Sequence, residues 1–150
     1  MGLQHLNSGP SIVDGLQDGW DDVGRIGGIL LLAQMSSRGN LLNNEYTLET
    51  ISTGKASPHV LGYIGNGSSA DDVAELRSLV GDAQMIWTPG INLDNGAGKM
   101  GQRYGNPHDS IMSGSDIIIV GSGIHRAENR SVAAKLYAEA SWDALIQRGQ

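Results

Sequence analysis

Apolar runs in this chain repeatedly end in small or polar residues: Ser36-Ser37-Arg38-Gly39, Gly65-Asn66-Gly67, Thr88-Pro89-Gly90 and Gly121-Ser122-Gly123. Glycine has no Cβ, so a ligand can approach the backbone closely, and successive N–H groups in such a turn attract an anion. Gly121-Ser122-Gly123, which follows Ile117-Ile118-Ile119 and Val120, has the composition of a phosphate cradle. A plain tight turn accounts for so short a motif at least as well. Thr88-Pro89-Gly90 is similar, and the glycine-rich stretch from Asn92 to Gly101 suits either a loop over a ligand or a solvent-exposed connection. Other chemistries are disfavoured. His5, His59, His108 and His125 show no His-x-x-x-His spacing for a metal, and there is no Gly-x-Ser-x-Gly elbow or Walker sequence.

Elements that place these turns can be read from the apolar pattern. Runs at 28–35, 59–64 and 116–120 predict buried parallel strands, with 85–88 a shorter fourth. Helices are predicted at 44–53, 70–80, 107–113 and 127–147, and a short one at 11–17 with Pro10 near its start. The last long helix carries a recurrent apolar stripe of Val132, Leu136, Trp142, Leu145 and Ile146. Strict strand and helix alternation requires parallel strands joined by right-handed crossovers, so the fold class is α/β, either doubly wound or part of a closed barrel. In a barrel, functional residues collect at the carboxyl ends of the strands.

With 150 residues the chain suffices for one domain but falls short of the roughly 250 of a complete eight-stranded barrel. Residues 1–150 read as a single domain, with no low-complexity linker. A charged fraction of 17% against 39% hydrophobic residues indicates an ordered globular chain. Its net charge of −6 argues against nucleic acid or an anionic membrane as a partner. The absence of cysteine removes disulfides and thiolate chemistry, and no run approaches the ~20 apolar residues of a membrane span, so a cytoplasmic protein is the expectation.

Several longer stretches carry a resemblance. Leu31-Leu32-Ala33-Gln34-Met35-Ser36-Ser37-Arg38-Gly39, Tyr46-Thr47, Gly62-Tyr63-Ile64, Trp87-Thr88-Pro89-Gly90-Ile91, Gly101-Gln102-Arg103-Tyr104 and Gly114-Ser115-Asp116-Ile117-Ile118-Ile119-Val120-Gly121 resemble, in order and spacing, orotidine 5'-phosphate decarboxylases of the eukaryotic type. His5, Gly9-Pro10 and Trp142-Asp143-Ala144 extend the likeness over nearly the whole chain. It implies a partial (β/α)8 barrel of about four parallel strands, the carboxyl-terminal half, with no metal or organic cofactor. Ser36 matches the serine that hydrogen-bonds the pyrimidine ring, and Pro89 would line the base pocket. Gln102 matches the glutamine that reaches over the nucleotide towards its phosphate, Tyr104 the tyrosine whose hydroxyl touches it, and Gly121 would offer its backbone. Each also has a plain structural role open to it, as a turn serine, a rigid turn or a surface side chain.

Two departures qualify what is implied. The family has glycine, arginine, glycine where this chain has Gly121-Ser122-Gly123, so the arginine that pairs with the phosphate is a serine. Arg126 lies nearby, and a solvated helix-start arginine is its simpler reading. The family's catalytic Asp-x-Lys-x-x-Asp motif is also missing: Lys55, Lys99 and Lys135 are the only lysines, and none has that acidic spacing. The expectation is therefore a decarboxylase homologue of pyrimidine (UMP) biosynthesis that binds orotidine 5'-phosphate or a UMP-like nucleotide, is inactive alone, and pairs as a homodimer or with a complementing amino-terminal half. The alternative is a noncatalytic remnant that binds a nucleotide or a protein. A pentulose-phosphate epimerase relative, the third reading, lacks a comparable run of matching residues.

Overall fold

A computed structural model of the chain describes residues 2–4, 9–37, 39–93 and 105–149. Five strands, β1 (Gly2–Gln4), β2 (Ile29–Leu32), β3 (Val60–Ile64), β4 (Met85–Pro89) and β5 (Ile117–Ile119), form one sheet. Between and after them lie α1 (Ser11–Asp22), α2 (Asn44–Ala56), α3 (Ala70–Val80), α4 (Pro107–Met112), the short α5 (Ser122–His125) and α6 (Arg130–Arg148). The predicted strands and helices are all present. β1 is an addition: three residues carry no periodicity, and this strand exists through its parallel pairing with β2.

Spatial order in the sheet follows sequence order, β1-β2-β3-β4-β5, and every pair is parallel. A doubly wound sheet would reverse direction at some strand and place helices on both faces. Here α1, α2 and α3 lie on one. Val13 of α1, Ile51 of α2 and Leu76 and Val80 of α3 pack with Ile29, Leu31, Tyr63 and Ile86 of the strands. The opposite face gathers Leu30, Leu32 and Ile64, with Leu42 and Trp87 against them. Single-sided winding of a parallel sheet is barrel geometry, with the second cluster on the face that turns inward.

Helix starts follow local chemistry. Asn43, Ser69, Asn106 and Asn129 cap α2, α3, α4 and α6, each accepting a hydrogen bond from a backbone N–H of the first turn. Thr47 Oγ1 of α2 donates to the Ala33 carbonyl (2.9 Å) and so fixes that helix to the end of β2. At the amino edge of the sheet, Asp116 receives Arg77 and Arg148 together with the Ile86 N–H (2.8 Å). Both guanidiniums also donate to carbonyls, Arg77 to Gly114 and Arg148 to Ile111 and Ser115. This bonded cluster lies away from the strands' carboxyl ends, on the side of a barrel that serves stability.

One predicted feature takes a different form. Most of the apolar stripe of α6 faces outward: Val132, Leu136, Trp142 and Ile146 are about half exposed or more, Leu145 is half-buried, and the helix buries Tyr137 and Ala144. Periodicity reports that a helix is amphipathic; it carries no information about what covers the apolar face.

Tyr63 lies fully buried under α2, its hydroxyl within bonding distance of Ile51 O (3.0 Å) and Gln84 Oε1 (2.8 Å). Burial pushes its pKa up to about 12, the bond to Gln84 opposing this only in part. The folded state thus favours the neutral phenol. Its stabilising contribution is complete below the ordinary value of 10.0 and is lost as pH rises towards 12. Between those limits the urea midpoint of the wild-type chain is expected to fall more steeply with pH than that of Tyr63→Phe. Parallel slopes would contradict a buried neutral phenol.

Candidate functional site

Because the strands are parallel and adjacent, the segments that follow them emerge along one edge of the sheet. Ser36 and Ser37 follow β2, Gly65-Asn66-Gly67 follows β3, Pro89 ends β4 with Gly90 next, and Gly121-Ser122-Gly123 follows β5. Ser36, Pro89 and Ser122 are half-buried at this rim and Gly121 is exposed. Gln102 and Tyr104 lie outside the described residues, so the rim is built here from the strand ends themselves.

Side-chain and backbone hydrogen bonds brace these turns and link neighbouring ones. Gln34 Oε1 accepts from the Asn66 N–H (3.2 Å), and Asn66 Oδ1 accepts from the Ser68 N–H (3.0 Å) and hydroxyl (2.7 Å). The turn that holds Ser36 is braced by Asn40, whose Nδ2 donates to the Ser37 carbonyl (2.8 Å) and whose Oδ1 accepts from the Leu42 N–H (3.0 Å). Across the next gap the Gly105 N–H is shared between the Gly67 and Gly90 carbonyls, each at 3.0 Å, and Gly105 O accepts from the Asn92 N–H (2.9 Å). Gly67 is required by this packing, since a Cβ there would overlap the Pro89 carbonyl. Gly121 is different: among the described residues nothing lies within 4 Å of where a Cβ would stand.

Among the described residues no group of three or more His, Asp or Glu side chains could hold a metal ion. Arg126, after α5, is exposed. No described helix is long and apolar enough to cross a membrane. The arrangement offers hydroxyls, an amide-rich turn and an open glycine backbone, groups suited to hydrogen-bonding a polar ligand. Gln34, Asn40 and Asn66 are rim residues that the sequence reading did not single out as functional. Their signal, a side-chain amide beside a turn serine or glycine, is common to many loops.

The profile of the orotidine 5'-phosphate decarboxylase / HUMPS family matches residues 4–137. The chain belongs to that family. Among curated relatives, the orotidine 5'-phosphate decarboxylase of Kluyveromyces marxianus is 35% identical over 147 residues, covering 96% of this chain and 53% of that protein. The Passalora fulva enzyme is 33% identical over 122 residues, 81% of this chain and 44% of its own length. The chain thus spans about half the length of the curated relatives it matches. Among solved structures, the orotidine 5'-phosphate decarboxylase of Pyrococcus horikoshii OT3 superposes with a TM-score of 0.71 at 25% identity, over 93% of this chain and 59% of that one. The Methanocaldococcus jannaschii enzyme, complexed with the inhibitor BMP, gives 0.70 at 20% identity over 92% of this chain and 59% of that one, a likeness of fold.

Proposed function

We propose that this chain is the carboxyl-terminal, substrate-binding half of an orotidine 5'-phosphate decarboxylase barrel of pyrimidine biosynthesis, and that it does not decarboxylate by itself. The observation that carries this reading is the placement of Ser36, Pro89 and Gly121-Ser122 along one carboxyl edge of a single-sided parallel sheet. In this reading Ser36 addresses the pyrimidine ring, Pro89 lines the base pocket, and the Gly121 backbone and Ser122 meet the phosphate, with Gln102 and Tyr104 completing its cover. The five strands correspond to the last five of eight, the family's Asp-x-Lys-x-x-Asp motif belonging to the part that precedes them.

Both sheet edges bear on partners. Among the described residues, β1 and β5 each have a neighbour on one side only, and beside β5 an apolar groove is lined by Ile117, Val120, Ile124 and Leu145. An unpaired edge over apolar surface favours assembly. The occupant is an amino-terminal half-barrel or a second copy of the chain.

Isothermal titration of the purified chain with uridine 5'-phosphate tests the reading: saturable binding near one nucleotide per chain is expected, and no detectable binding would refute it. Light scattering on the same sample separates the two partners, because a monodisperse monomer excludes the homodimer. The noncatalytic remnant is the second reading, favoured by Ser122 in the place of the family's arginine. It is the better account if nucleotide fails to bind while the chain is recovered in a stable heteromeric complex.

A further inference from the structure

Most of α6 faces solvent, yet one large side chain in it is buried. Tyr137 is only 4% exposed, and its hydroxyl accepts from the Leu93 N–H (3.1 Å) and lies 3.2 Å from Asn92 Oδ1, to which it donates. Both bonding functions of the phenol are therefore committed to the turn after β4. Its ring tip also fits against Gly123 in the turn after β5, where any Cβ would overlap the phenol oxygen. Asn92 continues the connection, its N–H bonded to Gly105 O and the Gly105 N–H bonded in turn to Gly67 and Gly90. One side chain thus touches the turns after β4 and β5 and reaches, through Gly105, the turn after β3.

We infer that Tyr137 is a positioning residue that sets the spacing of the β4 and β5 rim turns, and with it the width of the nucleotide site; this rests on the function proposed above. It does not line the rim. Tyr137 acts by fixing Asn92–Leu93 from one side and Gly123 from the other. The hydroxyl is the operative group, since a phenyl ring would fill the same space without holding Asn92 or the Leu93 N–H.

The test uses the whole chain and two readouts. Tyr137→Phe is expected to weaken binding of uridine 5'-phosphate about three- to tenfold, the effect of one or two neutral hydrogen bonds. It is also expected to speed hydrogen exchange at the Leu93 amide about tenfold or more, leaving β2 and β3 amides unchanged. Asn92→Ala, which removes the acceptor without touching the buried ring, should act in the same direction, and the double variant should be no weaker than the worse single one. Unchanged Leu93 exchange in Tyr137→Phe overturns the inference, as does unchanged affinity beside a wild-type chain that binds. If the wild-type chain binds no nucleotide, the functional reading fails by itself, and Leu93 exchange still decides whether Tyr137 holds the turn.

Discussion

Orotidine 5'-phosphate incubated with the purified 150-residue chain is expected to remain unconverted, with no uridine 5'-phosphate formed above the uncatalysed background. On the function proposed above, the resemblance to orotidine 5'-phosphate decarboxylases implies that carbanion charge developing at a pyrimidine carbon is stabilised by a lysine flanked by aspartates, which also supplies the proton. Preorganised charge of this kind is commonly the largest part of catalysis, and enzymes as a class lower barriers by roughly 8–23 kcal/mol. Contacts that hold substrate and transition state equally well, as turn hydroxyls and backbone amides at this rim would, lower no barrier of the chemical step. Lys55 illustrates the point: its ammonium donates to the Leu79 carbonyl (2.8 Å), bridging α2 to α3 on the helix side of the sheet. Lys135 lies exposed on α6 beside Glu139 (3.6 Å). Robust conversion by the chain alone, followed by chromatography of the nucleotides, would overturn the proposal that its catalytic wall is elsewhere.

Ser122→Arg is expected to tighten uridine 5'-phosphate binding by about ten- to over a hundredfold. A charge-assisted hydrogen bond from guanidinium to phosphate contributes roughly 1.5–3 kcal/mol, and each 1.4 kcal/mol is a factor of ten in affinity. Ser122 opens α5 directly after exposed Gly121, so an arginine there would start from the turn that follows β5. Salt gives an independent check, because a new ion pair at a partly exposed rim is screened as ionic strength rises. Raising salt should therefore weaken binding by the variant more than by the wild type. Equal affinities in the two chains would place the phosphate somewhere other than the β5 turn.

Much of the architecture was legible before any coordinates. The helix at Ala70–Val80 is located to the residue, because Ser69 caps its start, Val73, Leu76 and Val80 recur at helical spacing, and Gly81 at φ 77° ends it. The strand at Ile29–Leu32 is shorter than its apolar run. The run extends through Ala33 to Met35, but pairing with β3 stops at Leu32 and the chain turns away into the Ser36 loop. Rim residues were found because glycine and serine beside a strand end form contiguous motifs. Tyr137 was not, since nothing in a helical tyrosine announces that its hydroxyl will meet a turn more than forty residues earlier.

What this sequence determined by itself was local: which segments are strand or helix, where they turn, and the run of residues that marks the family. Propensity, capping and short-range periodicity act over a few residues and can be read in order. The apolar pattern left open whether the sheet winds on one side or two, and the resemblance pointed to a barrel; decided only in three dimensions were the parallel pairing of Gly2–Gln4 with β2, the exposed face of α6 and the meeting of Tyr137 with Asn92, Leu93 and Gly123. Each depends on contacts between segments far apart in the chain, whose partners are chosen by packing and hydrogen-bond satisfaction across the whole fold.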